Sequence, residues 1–430
     1  MKVERVPFMN KVILIPDSFK GTLSSTQICE IISAEITKQF PSCKVISIPV
    51  ADGGEGSVDC FLSALGGQKI TATVNGPHFE KMKSYFGMID NCKNNDSYGN
   101  KPNNTQPVAD KFNTTKFNTT KSNTAKLNTI KNLTAVIEMA SCAGLPLVEN
   151  NKDPLGTTTY GVGELILAAT KQNAQKIIVG LGGSCTTDGG CGAAAACGVK
   201  FYDKTEKCFV PTGGTLKQIK RIDISELNPM IKNTEIIAMC DIENPMYGPE
   251  GAAFVFGPQK GASPDEVKFL DEGLIRLSKI IERDLGLNVA AVPGAGAAGA
   301  MGAGMIAFFG AHLQMGIETV LDTVHFSDTI KGADLVFTGE GRLDAQSLRG
   351  KVVIGVAKRS QKEGVPVIAL VGGVDGDMKA AYDMGATAIF SINRLPEDFS
   401  ISKNKSAKNL AATAQDVLRA IKAFKEEPNE

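Results

Sequence analysis

The 430-residue sequence has no tryptophan, only six tyrosines and only three histidines. So few rings argue against an aromatic-lined groove, and His78, His312 and His325 form neither a catalytic triad nor a ligand spacing with the ten cysteines. No two cysteines make a CxxC pair, which excludes the usual structural zinc signatures, and scattered thiols in a chain this size suit a reducing, cytoplasmic setting. Net charge is absent too: 46 Lys and Arg balance 46 Asp and Glu, so no overall field draws the chain to nucleic acid or anionic lipid. The first ten residues carry charges and Pro7 and no apolar core, so no secretory signal is expected. One uncharged stretch, Asn288 to Gln314, is long enough to cross a bilayer. Its alternating Gly and Ala after Pro293 suit a buried loop and helix better, and no membrane partner is expected. Missing also are a GxxxxGK[ST] loop and the HRD and DFG elements of protein kinases.

What the chain does have is 45 glycines, concentrated after short apolar runs. Val12–Pro16 reads as a buried strand, and Ser24 or Ser25 can cap a helix running to Gln39. A second strand, Val45–Val50, ends in Ala51-Asp-Gly-Gly-Glu-Gly56, and another helix follows. Strands are also predicted at 71–89, 135–139, 176–181, 236–240, 335–337 and 365–371, with helices over 161–172, 191–197 and 352–363 between them. Strand–helix alternation with loops after the strands is the α/β pattern, with a parallel sheet as the default. Residues 92–132 break it. Lysines at 111, 116, 121, 126 and 131 mark a five-residue Asn/Thr repeat that fits no helical stripe, and so polar a segment is expected to be disordered. Lengthening a loop tenfold costs only about 2 kcal/mol in closure entropy, so a fold can carry it.

The glycine loops are where chemistry could sit. Gly182-Gly-Ser-Cys-Thr-Thr-Asp-Gly-Gly-Cys-Gly192 follows a strand and opens a helix, so its amides could form an anion nest with Ser184 and Thr186 adding hydroxyls. A turn packed closely on a neighbouring strand is the plainer alternative. Pro293-Gly-Ala-Gly-Ala-Ala-Gly299 contains GxGxxG, with Glu318 near the spacing of a ribose-binding acid, but Glu318 does not end a strand. Close packing or ATP phosphates explain Gly294, Gly296 and Gly299 better than NAD does. Three acidic loops, around Asp52 and Glu55, Asp241, and Glu340 to Asp344, could hold Mg²⁺ or accept a proton; capping and turn closure are the alternatives. Lys20, Lys260, Arg342 and Lys351 could meet anionic groups, against a reading as solvated surface. Carboxylates, cations and backbone donors are what phosphoryl transfer requires.

At these residues the chain resembles the bacterial-type (type I) glycerate kinases from Ile13 to about Ile392. The matching blocks include IPDSFKGTLSS at 15–25, PVADGGEGSVD at 49–59, GLGGSCTTDGG at 180–190, CDIENPMYGPEGAAFVFGPQKGA at 240–262, PGAGAAGAMGAG at 293–304 and TGEGRLDAQSLRGKVVIGVAK at 338–358. The resemblance implies two α/β domains: a flavodoxin-like one from residues 1–67 and 292–430, and a second inserted between them at 68–291. It also implies ATP- and Mg²⁺-dependent phosphorylation of D-glycerate, most often at the 2-hydroxyl. Cys185, Thr187 and Ala300 depart from the family pattern, which has glycine more often at the last, and the 92–132 insert has no counterpart there.

The expected site follows from both readings. Asp188, Asp17, Lys20 and Asp52 are the expected catalytic group, with Asp188 favoured to orient or deprotonate the hydroxyl. Ser18, Glu55, Arg342 and Lys351 are expected to bind glycerate. Gly182, Gly183, Ser184, Thr186, Gly189, Gly190, Lys260, Gly294, Gly296 and Gly299 are expected around ATP, with Asp241, Glu340 and Asp344 on the metal. An NAD-dependent dehydrogenase and a non-catalytic nucleotide sensor stay open as rivals, as do phosphorylation at the 3-hydroxyl and a homo-oligomeric state.

Overall fold

A computed structural model describes residues 9–51, 53–91 and 132–425. The expectation of disorder across 92–132 therefore falls almost wholly outside the described residues, as does Asp52. The chain is α/β, with fourteen described strands. In order they are β1 (Lys11–Pro16), β2 (Lys44–Ser47), β3 (Gln68–Asn75), β4 (Lys81–Asp90), β5 (Leu133–Glu138), β6 (Lys176–Gly180) and β7 (Lys200–Tyr202). Then come β8 (Cys208–Phe209), β9 (Arg221–Asp223), β10 (Glu235–Met239), β11 (His312–Gln314), β12 (Leu335–Gly339), β13 (Val367–Val371) and β14 (Ala388–Ser391).

The first sheet takes strands from both chain ends, in the order β14-β13-β12-β1-β2, and every pairing is parallel. Counting only its own strands, that order is 2-1-3-4-5, the flavodoxin-like winding, with its switch point between β1 and β12. The second sheet runs β11-β10-β6-β5-β4-β3, parallel from β11 to β5 and antiparallel beyond. Burial explains the strand compositions: β12 and β13 are buried throughout, as continuous apolar runs covered on both faces should be. Strand β3, on the edge, alternates exposed and half-buried positions and carries Gln68, Lys69 and Thr71.

One expected boundary moves. The chain does not return to the first sheet at residue 292. Strand β11 pairs with β10, and Ala295 to Phe309 pack into the core of the second sheet. The uncharged Gly/Ala stretch is thus core, and the return comes after Gln314. No described helix is long and apolar enough to cross a membrane. The helix Ser57–Leu65 sits between the sheets: Val58 and Phe61 share one buried cluster with Ile13 and Ile15 of β1 and with Ile89, Val136 and Ile178 of the second sheet.

The segment of residues 92–131 enters and leaves at adjacent points. Asp90 opposes Leu133 across β4 and β5, and the Asn91 amide donates to the Asn132 carbonyl at 2.9 Å. Replacing residues 92–131 by Asn-Gly should therefore close a two-residue hairpin. Stability should rise by roughly 2–3 kcal/mol through loop closure, read as a higher urea midpoint with an unchanged circular dichroism spectrum. Loss of the native spectrum would show that the segment is needed for folding.

Candidate active site

Parallel strands send all their C-terminal loops to one edge of a sheet. Here the edges of both sheets meet. A 710 Å³ cavity is lined by Asp17, Ser18 and Lys20 after β1, by Gly54, Glu55 and Gly56 after β2, by Gly182, Gly183 and Ser184 after β6, and by Asp241 after β10. A second cavity, of 680 Å³, shares Asp17, Ser18, Lys20 and Asp241 and continues along the first sheet past Glu340, Arg342, Asp344 and Lys351. The shared residues form the wall between the two.

Two buried ionisable groups face this junction without an opposite charge bonded to them. Lys260 is 2% exposed and lines the 710 Å³ cavity. Its Nζ donates to Ser184 Oγ at 3.0 Å and to the Thr186 carbonyl at 2.6 Å, both neutral, and burial pulls its pKa down to about 8. Glu340 is 6% exposed on the other cavity. Ser347 Oγ donates to its Oε2 at 3.0 Å, while Oε1 has no partner. Burial, with the nearby Asp17 charge, pushes its pKa up to about 7. An ammonium on neutral acceptors and a carboxylate with an orphaned oxygen are suited to a ligand carrying the missing charges.

The two glycine loops of the 710 Å³ cavity are locked by backbone contacts. The Gly182 amide donates to the Gly53 carbonyl at 3.0 Å, and a Cβ on Gly182 would meet Gly54 Cα at 2.7 Å. Buried Glu138, at the end of β5, accepts from the Val58 amide at 2.6 Å and so pins the start of the helix that follows the Gly53–Gly56 loop.

A chain with this cleft matches the family model described as "Glycerate kinase family" over residues 12–98 and 103–422. The chain belongs to the glycerate kinase family. A glycerate kinase of Bacillus cereus (strain ATCC 10987 / NRS 248) is 38% identical over 417 residues, covering 97% of this chain and 99% of the relative. The glycerate 2-kinase of Escherichia coli K12 is 38% identical over 411 residues, covering 94% and 97%. A crystal structure of a candidate glycerate kinase 2 from Salmonella typhimurium LT2 superposes with a TM-score of 0.79 at 34% identity, covering 97% of this chain and all of that one. By family, then, the chain is a kinase.

The fold of this family member places the expected residues unevenly. Asp17, Ser18, Lys20, Glu55, Arg342, Lys351, Lys260, Gly182, Gly183, Ser184, Asp241, Glu340 and Asp344 all line one or both cavities. Asp188 does not. It is fully buried beneath the loop, accepting from the Thr159 amide and hydroxyl at 2.8 Å each, from Gly190 N at 3.1 Å and from Gly192 N at 3.2 Å. Burial raises its pKa, and four donors oppose that rise. Those four bonds hold the loop in place, and Asp188 lies off both cavity walls. Thr186, Gly189, Gly190, Gly294, Gly296 and Gly299 also lie outside the cavity walls. Gly189 N donates to Gly299 O at 3.1 Å, and Cβ atoms on Gly296 and Gly299 would meet the Pro245 and Thr186 carbonyls at 2.2 and 2.0 Å. The glycines of the GxGxxG pack closely on backbone, and Glu318 is paired with Arg359 rather than left open for a ribose. Ala298 and Ala300 flank Gly299 with φ of +55° and +66°, a left-handed conformation that glycine adopts more readily than alanine.

Of the expected metal group, Asp344 Oδ1 is occupied by the Gln346 and Ser347 amides, and Asp241 Oδ1 accepts from Gly316 N at 2.7 Å. The Arg342 guanidinium pairs with Asp375 at the surface, not with an acid of the junction. Sequence reasoning overlooked Glu138 and the loops after β13 and β14. Their only advance signal was position at the end of a strand.

Two outcomes check these assignments. Asp188→Ala should lower stability by about 3 kcal/mol, because it orphans buried donors; a variant as stable as its parent but inactive would return Asp188 to the chemistry. For Glu340, the folded pKa of about 7 lies above the ordinary 4.5, so the folded state holds the extra proton and stability falls as pH rises through that window. Glu340→Gln should match the parent near pH 4 and exceed it by up to about 3 kcal/mol above pH 7 in ligand-free buffer. A melting-temperature difference independent of pH would contradict this.

Proposed function

We propose that the protein phosphorylates D-glycerate at its 2-hydroxyl, using ATP and releasing 2-phosphoglycerate and ADP. The observation that carries the reading is the shared wall of Asp17, Ser18, Lys20 and Asp241, which lets two ligands in adjoining cavities meet. The relative named a glycerate 2-kinase supports the position of attack. Nine free cysteines among the described residues agree with action in the cytosol.

Asp17 and Lys20 take the central roles because they alone, of the described residues expected to be catalytic, reach both cavities. Asp17 accepts the hydroxyl proton as the glycerate oxygen bonds to the γ-phosphorus. The bond from that phosphorus to the β-phosphate bridging oxygen breaks, and its electrons leave with ADP. Lys20 and the amides that open the helix Val352–Lys362 stabilise the charge on the phosphoryl oxygens; no side chain caps that helix start, so its donors are available.

Magnesium fits the donor set on one condition. Among the described residues no group of three or more His, Cys, Asp or Glu could hold a metal ion unaided. Mg²⁺ arriving with a nucleotide needs only one or two protein carboxylates, its other ligands being phosphate oxygens and water. Glu340, with its orphaned Oε1, would hold it, leaving Asp17 free of the ion for proton transfer. The ion would neutralise charge on the phosphates.

Purified protein should release ADP only when D-glycerate and Mg²⁺ are both present, with phosphorus NMR identifying 2-phosphoglycerate. Formation of 3-phosphoglycerate would overturn the position of attack, and nucleotide binding without glycerate-dependent turnover would make the protein a sensor. Asp17→Asn should lower kcat at least about a hundredfold, as loss of a positioned base does, with an unchanged melting temperature. A near-normal rate would remove Asp17 from proton transfer.

A further inference from the structure

The two cavities differ in chemistry along the first sheet. The loops after β1 and β12 bring Asp17, Lys20 and Glu340 to the 680 Å³ cavity. The loops after β13 and β14 bring Gly373, Val374 and Asn393, with Phe399 beyond them. Val374 is 44% exposed and Phe399 62% exposed, large apolar groups left open on the rim beside the polar Asn393. The Phe399 ring reaches toward the loop after β1, its Cζ lying 3.8 Å from where a Cβ on Gly21 would stand. Gly373 faces open space: a Cβ there would have no neighbour within 4 Å. Asn393 Nδ2 donates to the Gly372 carbonyl at 2.6 Å, which fixes the amide and turns Oδ1 into the acceptor left for a ligand.

A three-carbon hydroxy acid has no surface to lay on an exposed phenyl ring. A purine has: its face stacks on an aromatic side chain, and the exocyclic amine of adenine needs an acceptor such as a fixed amide oxygen. We propose that the adenine of ATP binds here, stacked on Phe399 and donating to Asn393 Oδ1. The triphosphate runs past Ser18 and the start of the helix Val352–Lys362 to the junction. D-glycerate then occupies the 710 Å³ cavity, its carboxylate under the Gly182–Ser184 loop and near Lys260. This reverses the order expected from sequence, where the Gly182 loop was set against ATP and Lys351 against glycerate. It also agrees with the winding of the first sheet, whose switch point between β1 and β12 opens into this cavity.

The inference rests on the kinase reading, and calorimetric titration of the full chain separates the two. ADP and D-glycerate are titrated into the wild type, Phe399→Ala, Asn393→Ala and Lys260→Met, each checked for fold by circular dichroism. Phe399→Ala should weaken ADP about tenfold or more while glycerate affinity stays within about twofold. Asn393→Ala, a surface change with little effect on folding, should weaken ADP in the same selective way. Lys260→Met should weaken glycerate at least about tenfold and leave ADP within about threefold. ADP affinity unchanged in Phe399→Ala, or lost in Lys260→Met in place of glycerate affinity, would overturn the assignment of the cavities while leaving the kinase intact. A wild type that binds neither ligand would instead defeat the kinase reading itself.

Discussion

Everything at the cleft depends on one approach of main chain to main chain. Gly53 and Gly54, from the loop after β2 of the first sheet, lie on Gly180 and Gly182 at the end of β6 of the second. A Cβ on Gly180 would stand 2.3 Å from the Gly53 carbonyl oxygen, closer than any side chain tolerates. Because nothing larger than hydrogen lies between the loops, the C-terminal edges of the two sheets share one mouth. The charged side chains on either edge then come within reach of common ligands. The helix Ser57–Leu65, with Val58 and Phe61 packed between the sheets and its start pinned by Glu138, holds this approach from beneath.

Much of the fold was legible because burial writes itself into composition. Continuous apolar runs such as Leu335–Phe337 can only be covered strands, and the glycine clusters mark where each strand ends. What composition does not reveal is the direction in which a glycine's free side faces. Gly183 opens to a cavity, whereas Gly299 is flush against the Thr186 carbonyl, yet both sit in loops of nearly identical character. Asp188 misled for the same reason. A carboxylate amid glycines looks chemically active until its four donors are counted, and two of them come from Thr159, remote in sequence. Phe399 left no trace at all, because an aromatic residue at the start of a one-turn helix has no periodicity or spacing to betray it.

The site is also electrostatically unfinished. Lys260 and Glu340 are each buried where the charged form is less well solvated than in water, and each pKa has moved toward neutrality as a result. Folding carries that penalty in the empty protein. Anionic and cationic ligands at the junction would offset it, so occupancy and stability are coupled. A side chain chosen for stability alone would be neutral at either position, which is the usual conflict between a rigid fold and a working cleft.

The hairpin between β4 and β5 has a different kind of consequence. Its two ends are joined by a backbone hydrogen bond and lie in a sheet whose far strands, β3 and β4, contribute nothing to either cavity. Length added there neither separates paired strands nor disturbs a loop of the cleft. The enzyme thus has a docking port for extra sequence, where a fluorescent reporter or an affinity module could be spliced in mid-chain with catalysis left untouched.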